Sequence, residues 1–138
     1  IMQLEFWESF KEYALSENTK LRLRKPRPQH WYDISIGFSD AHICLIMDTR
    51  DNMLRCELYI PDSKNLFFKL QENKNKIEDE LPNKLDWLEL QGNKSSRITL
   101  RKEVDFEDSE SWKDYQEWLL KQAELFYNVF PKYIKQNK

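Results

Sequence analysis

Residues 53–60 alternate strictly between apolar and polar side chains, and this pattern constrains the fold more than any other in the chain. The apolar members are Leu54, Cys56, Leu58 and Ile60, and the polar members between them are Arg55, Glu57 and Tyr59. Successive side chains of a β-strand point to opposite faces of a sheet, so the segment predicts a strand with one apolar and one charged face. Because burial of unpaired charges is costly, we expect helices on one face only, while the other face meets water or a polar partner.

The remaining periodicities predict the element order α-βββ-α-ββ-α. The expected helices span residues 3–16, 63–81 and 111–130, and the expected strands span 30–37, 41–49, 53–60, 85–90 and 97–102. Pro131 is expected to kink or restart the last helix, because proline cannot donate a backbone hydrogen bond. Strands joined by short hairpins imply a mostly antiparallel five-stranded sheet. Residues 1–138 are therefore expected to form a single α+β domain with its helices on one face.

The polar positions of the predicted strands gather on the face that the helices leave open. They are Asp33, Ser35, Arg55, Glu57, Tyr59, Arg97, Thr99 and Arg101. Two interpretations of this face stay open at the level of sequence. It is either a surface that only meets solvent, or a docking surface for nucleic acid or for another domain.

Glycine is scarce, and this excludes several classes of nucleotide-binding protein. The chain has two glycines, Gly37 and Gly92, far apart in the sequence. Loops that cradle phosphates need several glycines close together, so that backbone N–H groups can converge on the anion. Neither a Walker A loop nor a dinucleotide-binding fingerprint can be built from this sequence.

The cysteines and histidines are too few and too scattered to predict a zinc site. Cys44 and Cys56 lie in neighbouring predicted strands, and the histidines are His30 and His42. A structural zinc site needs about four such ligands at tight spacing. We expect two buried free thiols, although a disulfide between neighbouring strands is sterically conceivable.

The longest apolar run, residues 43–47, is far too short to cross a bilayer, so we expect no membrane partner. No signal peptide is visible, because Glu5, Glu8 and Glu12 lie among the apolar residues of the N-terminus, and we therefore expect a cytoplasmic protein.

A basic segment precedes the first predicted strand and is the strongest functional signal in the sequence. Its cations are Lys20, Arg22, Arg24, Lys25 and Arg27, and His30 and Trp31 follow them. The chain has a net charge of -2, so these five positive charges leave -7 for the remainder. Concentrated positive charge beside aromatic rings is typical of surfaces that bind nucleic acid. In the alternative interpretation, the arginines pair with the acidic segment 103–110 of the same molecule or with another domain.

Several stretches resemble the prokaryotic family known as domain of unknown function 4268. The resemblance rests on residues 25–37 (KPRPQHWYDISIG), 4–7 (LEFW), 55–60 (RCELYI) and the Trp118-Leu119 pair of the last helix. It implies no established activity. Such domains often follow a segment similar to PD-(D/E)xK nucleases, so the resemblance implies an adjacent nuclease-like domain. Since the sequence starts at Ile1 rather than at methionine, we expect a domain excised from a longer chain.

The domain itself does not carry the pattern of a nuclease of that class. These enzymes hold Mg²⁺ with two carboxylates and place a lysine beside the phosphate. One of the acids and the lysine are spaced two residues apart on one strand. The predicted strands offer Asp33, Asp48 and Glu57, none of them followed by lysine at that spacing. The triplets 62–64 and 72–74 have the spacing but fall at a helix cap and inside a helix. We expect no catalytic residue, cofactor or metal here, unless the fold brings the three acids together.

Two hypotheses of function follow from these observations. In the first, the domain is an accessory module that contacts DNA or RNA for a nuclease-like partner domain, through residues 20–27 with His30 and Trp31. In the second, it is a protein-interaction or dimerisation domain without catalytic activity, with an aromatic helix face or the sheet face buried against another chain.

Overall fold

The computed structural model describes residues 2–136, and its elements follow the expected order. The helices are α1 (Met2–Ser16), α2 (Lys64–Glu72), α3 (Lys74–Glu80) and α4 (Trp112–Gln136), and a 3₁₀ turn (Ser109–Ser111) precedes α4. The strands are β1 (Trp31–Ile34), β2 (His42–Asp48), β3 (Met53–Ile60), β4 (Asp86–Leu88) and β5 (Ser96–Glu103). The prediction of an α+β domain is confirmed, and β3 has the predicted bounds.

The five strands form one antiparallel sheet with the spatial order β1-β2-β3-β5-β4. Strands β1, β2 and β3 pair in chain order. Strand β5 then lies beside β3, with Glu57 opposite Thr99, and β4 forms the far edge. This order places polar residues that are distant in sequence next to one another on one face.

The helices cover the other face and form the core with it. The central side chains of α1 are Phe6, Trp7 and Phe10, whose rings meet edge to face with centroids 5.2–6.0 Å apart. They pack with Tyr32 of β1 and with the buried stripe of α4. None of the helices within residues 2–136 is long and apolar enough to span a membrane.

The predicted helix 63–81 is in fact two helices, which divide at Asn73. Ser63 caps α2 as expected, because its hydroxyl accepts a hydrogen bond from the Leu66 N–H (3.1 Å). At Asn73 the backbone leaves the helical conformation, and its side-chain amide donates to the Lys69 carbonyl (3.3 Å). Asparagine competes in this way with the helical hydrogen bonds, which explains the interruption that apolar periodicity did not indicate.

The last helix does not end near Phe130, because α4 continues through Pro131 to Gln136. The final turn is held by packing, since Tyr133 and Ile134 are buried in the core. Lys132 and Tyr133 also contact the Glu80 carboxylate at the end of α3. These contacts outweigh the one backbone hydrogen bond that a proline removes.

Lys64 has a structural role, which supports the interpretation that the triplet 62–64 belongs to a helix start and not to a nuclease site. Its ammonium donates hydrogen bonds to the carbonyls of Glu89, Leu90 and Ser95 and to the Ser96 hydroxyl. The three carbonyls belong to the connection between β4 and β5, and Ser96 begins β5, so one side chain ties that hairpin to the start of α2.

Both cysteines are buried free thiols, as predicted. Cys44 lies opposite Glu57 and Cys56 lies opposite Leu45, so the two cysteines occupy adjacent positions of the paired strands β2 and β3. Adjacent positions point to opposite faces of a sheet. Cys56 therefore faces the helical core and Cys44 faces the open side, which explains why they do not form a disulfide.

Candidate functional site

The face of the sheet that the helices leave uncovered, called here the open sheet face, is ordered in three rows across the strands. The central row is Asp33, Cys44, Glu57, Thr99 and Asp86; one flanking row is Trp31, Ile46, Arg55 and Arg101; the other is His42, Tyr59, Arg97 and Leu88. Seven of the eight polar residues predicted for this face lie in these rows. The eighth, Ser35, lies just beyond the end of β1, where its hydroxyl accepts a hydrogen bond from the Gly37 N–H (3.2 Å).

Every arginine in these rows is paired with a carboxylate. Arg55 contacts Asp48 (3.1 Å), Arg101 contacts Asp86 (3.1 Å), and Arg97 contacts Glu57. At the β1–β2 side, His42 Nε2 lies 3.3 Å from the Asp33 carboxylate. The face is consequently rich in charge but close to neutral overall.

The middle of the open sheet face is shielded from water. Glu57 and Thr99 are each only 2% exposed. The Arg97 guanidinium lies over the Tyr59 ring, 4.4 Å from its centroid, and so extends along the face beside Glu57. The Thr99 hydroxyl is buried without a hydrogen-bond partner among the described residues. It lines a concave depression of about 770 Å³, together with Arg55, Arg97 and other members of these rows.

The electrostatics of this face do not favour nucleophilic chemistry. Burial raises the pKa of the Cys44 thiol far above its ordinary value, and the neighbouring Asp33 and Glu57 carboxylates raise it further. The thiol therefore stays protonated and weakly nucleophilic. Burial also acts to raise the pKa of Asp33, but hydrogen bonds from His42 and Cys44 outweigh it and hold that pKa below its usual range.

The three acids considered for a metal site do not come together. Asp33 pairs with His42, Asp48 with Arg55, and Glu57 with Arg97. Across residues 2–136, no three carboxylate, histidine or cysteine side chains are close enough to hold a metal ion.

The five cations of residues 20–27, called here the cationic segment, all point outward. Lys20, Arg22, Arg24, Lys25 and Arg27 are exposed. In the part of the chain that the structure describes, no ion pair joins any of them to a carboxylate, in the acidic segment 103–110 or elsewhere. The alternative in which the arginines are neutralised by residues 103–110 is therefore wrong.

The backbone of the cationic segment is anchored to the core while its five cationic side chains are exposed. Leu21 is buried, the Tyr32 hydroxyl donates to the Arg24 carbonyl (2.6 Å), and the Trp7 indole Nε1 donates to the Gln29 carbonyl (2.8 Å). Pro26 and Pro28 further restrict the chain between these anchors. The backbone that carries the cations is thus held in place before any partner binds.

His30 and Trp31 connect the cationic segment to the open sheet face. Both are exposed, and their rings meet edge to face at 4.8 Å. The His30 carbonyl accepts a hydrogen bond from the Met47 N–H (2.9 Å), which fixes the backbone at this junction. Trp31 then begins β1 opposite Ile46, in the same row as Arg55 and Arg101.

Sequence reasoning missed the acids that position the arginines. Asp48 ends β2, and Asp86 begins the short edge strand β4. Asp86 stands between the apolar residues Leu85 and Trp87, and this local alternation is a signal that Asp86 faces the open side of β4. No comparable pattern marks Asp48, whose Oδ1 accepts hydrogen bonds from the Arg50 and Asp51 N–H groups (both 3.0 Å) in the β2–β3 turn.

Tyr32 provides a test of how the cationic segment is anchored. Burial raises the pKa of its hydroxyl from 10.0 to about 12. Stability that depends on the protonated hydroxyl is therefore fully present below pH 10 and is lost as the pH rises towards 12. We expect Tyr32→Phe to lower the free energy of unfolding by about 1 kcal/mol at neutral pH, through loss of the hydrogen bond to the Arg24 carbonyl. Between pH 10 and 12, the free energy of unfolding of this variant should fall less steeply than that of the unmodified protein. Urea unfolding across this pH range measures both slopes, and parallel slopes would contradict the assignment.

Comparison with known proteins gives a family without an assigned activity. The model of the family described as "Domain of unknown function (DUF4268)" matches residues 2–134. No curated protein matches the chain. Among solved structures, the crystal structure of YbjN from E. coli, provisionally described as a transcription regulator, is 9% identical and aligns with a TM-score of 0.42 over 90% of this chain and 92% of that one. This likeness is too distant to support a functional comparison.

Proposed function

The chain belongs to the family described as domain of unknown function 4268, and from its geometry we propose that it is an accessory module that contacts DNA or RNA. The cationic segment makes this contact and so helps an adjacent nuclease-like domain to hold the nucleic acid. One observation carries the proposal: five exposed cations lie on an anchored stretch of eight residues, and no carboxylate among residues 2–136 forms an ion pair with them. The nuclease-like partner is the part of the proposal that the sequence resemblance supports.

Electrostatics favour a polyanion as the partner of this segment. When exposed lysine and arginine side chains bind phosphates, the nucleic acid releases the counterions condensed on it, and this release drives non-specific association. The remainder of the chain carries net negative charge. Repulsion from that remainder would steer a polyanion towards the cationic segment and away from the acidic surfaces.

Anchoring adds to the effect of charge. The hydrogen bonds to the Arg24 and Gln29 carbonyls hold the backbone of the segment, so it is already ordered before a partner binds. Less conformational entropy is lost on binding as a result.

Replacing Arg22, Arg24 and Arg27 together by alanine should weaken binding of a labelled oligonucleotide and flatten its salt dependence. If all three contact phosphates of a single strand, the slope of log affinity against log salt falls by about 2. The melting temperature should stay nearly unchanged, because these side chains make no ion pair within the described chain. Fluorescence polarisation at 50 and 200 mM salt and a thermal melt measure the two effects.

A matched control is available on the helical side of the molecule. Lys69, Lys74 and Lys76 are exposed residues of α2 and α3, and their replacement by alanine changes the net charge equally. The control should retain affinity and slope. Equal losses in both triple variants, or no salt-dependent binding by the unmodified domain, would contradict the proposal.

An interaction or dimerisation surface is the second candidate, and the distribution of apolar residues does not favour it. The large apolar side chains exposed in residues 2–136 are Met2, Leu15, Trp31, Phe68 and Leu88. Trp31 and Leu88 lie on opposite edge strands of the sheet, about 19 Å apart by strand spacing, so they do not form one patch. Light scattering over a range of concentrations tests this candidate, which predicts a rise in apparent mass.

A further inference from the structure

We infer that the open sheet face receives unpaired bases of a single strand whose phosphates lie along the cationic segment. The inference rests on the proposed function and adds a substrate class to it, single-stranded nucleic acid. Bases inside a duplex are stacked and paired, whereas unpaired bases can stack on aromatic rings and offer their edges for hydrogen bonding.

Continuity between the two surfaces is the first support. Only Pro28, Gln29 and His30 separate the last cation, Arg27, from Trp31. The Trp31 side chain is 38% exposed and begins one row of the open sheet face. A strand that follows the cations therefore reaches an aromatic ring at the edge of the sheet, where a base can stack.

The pairing of charges on the face is the second support. Arg55, Arg97 and Arg101 each contact a carboxylate, so the face offers no excess of positive charge for phosphate. Each guanidinium still has N–H groups beyond those used in its ion pair. The face thus presents donors beside acceptors, and the edge of a nucleobase presents the same mixture.

The Thr99 hydroxyl is the third support, and it is independent of the arginines. It is 2% exposed, lines the depression, and has no hydrogen-bond partner among residues 2–136. A buried hydroxyl without a partner is unfavourable. Because a hydroxyl can both donate and accept, a base edge entering the depression would satisfy it.

Distances across the sheet allow more than one base to be bound. Trp31 is on β1 and Thr99 is on β5, three strand spacings away, which corresponds to at least about 14 Å. The stacking position at the edge and the hydrogen-bonding position in the middle therefore serve different nucleotides of one strand.

The experiment compares three labelled probes by fluorescence anisotropy at low salt: a single strand of mixed sequence, the same strand with abasic sites, and the corresponding duplex. The two single strands carry the same phosphates and differ only in their bases. We expect the abasic strand to bind at least about fivefold more weakly than the strand with bases. Trp31→Ala should weaken binding of the base-containing strand about 5- to 150-fold and leave the abasic strand unaffected.

Two further variants separate stacking from hydrogen bonding and from general damage. Thr99→Val keeps the shape of the side chain, so the melting temperature should not change. The differences in affinity among single strands that each contain one kind of base should become smaller. Phe68→Ala removes an exposed aromatic ring from α2, on the helical side of the molecule, and should change no affinity.

The outcomes distinguish this inference from the function on which it rests. Equal affinity for the two single strands, with the effect of the triple arginine variant intact, overturns base binding but leaves phosphate contact by the cationic segment in place. Tighter binding of the duplex than of the single strand also overturns it. No salt-dependent binding of any probe overturns both proposals.

Discussion

Replacing Trp7 by alanine is expected to lower the free energy of unfolding by about 3–5 kcal/mol, because a fully buried indole is lost and its cavity cannot close. Its ring packs against Phe6, Phe10 and Tyr32, with centroids 5.2–6.0 Å apart. For a domain of this size the loss corresponds to a melting temperature lower by about 10–20 °C. Urea and thermal unfolding of the isolated domain measure it.

Trp7 also connects the core to the cationic segment, and a milder variant isolates this second role. Trp7→Phe keeps an aromatic ring in the core but removes the hydrogen bond to the Gln29 carbonyl. We expect a cost of about 1–3 kcal/mol from lost packing and the lost bond, with the domain still folded. Loss of the anchor should also reduce affinity for an oligonucleotide, since the segment is then less ordered before binding.

The exposed tryptophan on β1 provides the control for stability. Trp31→Ala removes the same side chain from the surface and should cost less than about 1 kcal/mol. A similar loss in Trp7→Ala and Trp31→Ala would contradict the assignment of Trp7 to the centre of the core.

Local patterns predicted the strands and their antiparallel hairpins, since each depends on residues close together in sequence. Residues 53–60 show this best, because alternation alone yields both the bounds of β3 and the side chains that face the core. The two errors in the helices have a different cause. The interruption at Asn73 arises from a side-chain amide that bonds the backbone, and the continuation past Pro131 depends on the burial of Tyr133 and Ile134.

In the candidate site, too, local patterns predicted some features, while others depend on the folded sheet. Alternation predicted that Arg55, Glu57, Arg97 and Thr99 share a face, and the structure places them there. The pairing of Arg97 with Glu57 depends on β5 lying beside β3, two strands that residues 61–95 separate in sequence. The unpartnered hydroxyl of Thr99 is likewise visible only after the sheet has formed.

For the cationic segment, the sequence shows a cluster of charge but not whether the fold neutralises it. The acids of residues 103–110 are far away in sequence, and composition alone left open whether they pair with the cations. The structure separates the possibilities, because the cations are exposed and no ion pair joins them to those acids.

Arg97→Met is expected to lower the free energy of unfolding by about 2–4 kcal/mol, because it leaves the Glu57 carboxylate buried without its partner. The value is below that for a fully buried pair, since the Arg97 side chain is 31% exposed while that of Glu57 is 3% exposed. The contact between the guanidinium and the Tyr59 ring is lost as well. Urea unfolding measures the change.

Two comparisons decide whether the uncompensated charge causes this loss. Arg101→Met breaks a pair whose side chains are 58% and 45% exposed, so it should cost no more than about 1 kcal/mol. Adding Glu57→Met to Arg97→Met should recover most of the stability, because replacing both partners of a buried pair by apolar groups is close to neutral. If the double variant is no more stable than Arg97→Met alone, packing of the arginine side chain and not the buried carboxylate accounts for the loss. The open sheet face would then be held together by side-chain packing, and its ion pairs would serve only to position the arginines.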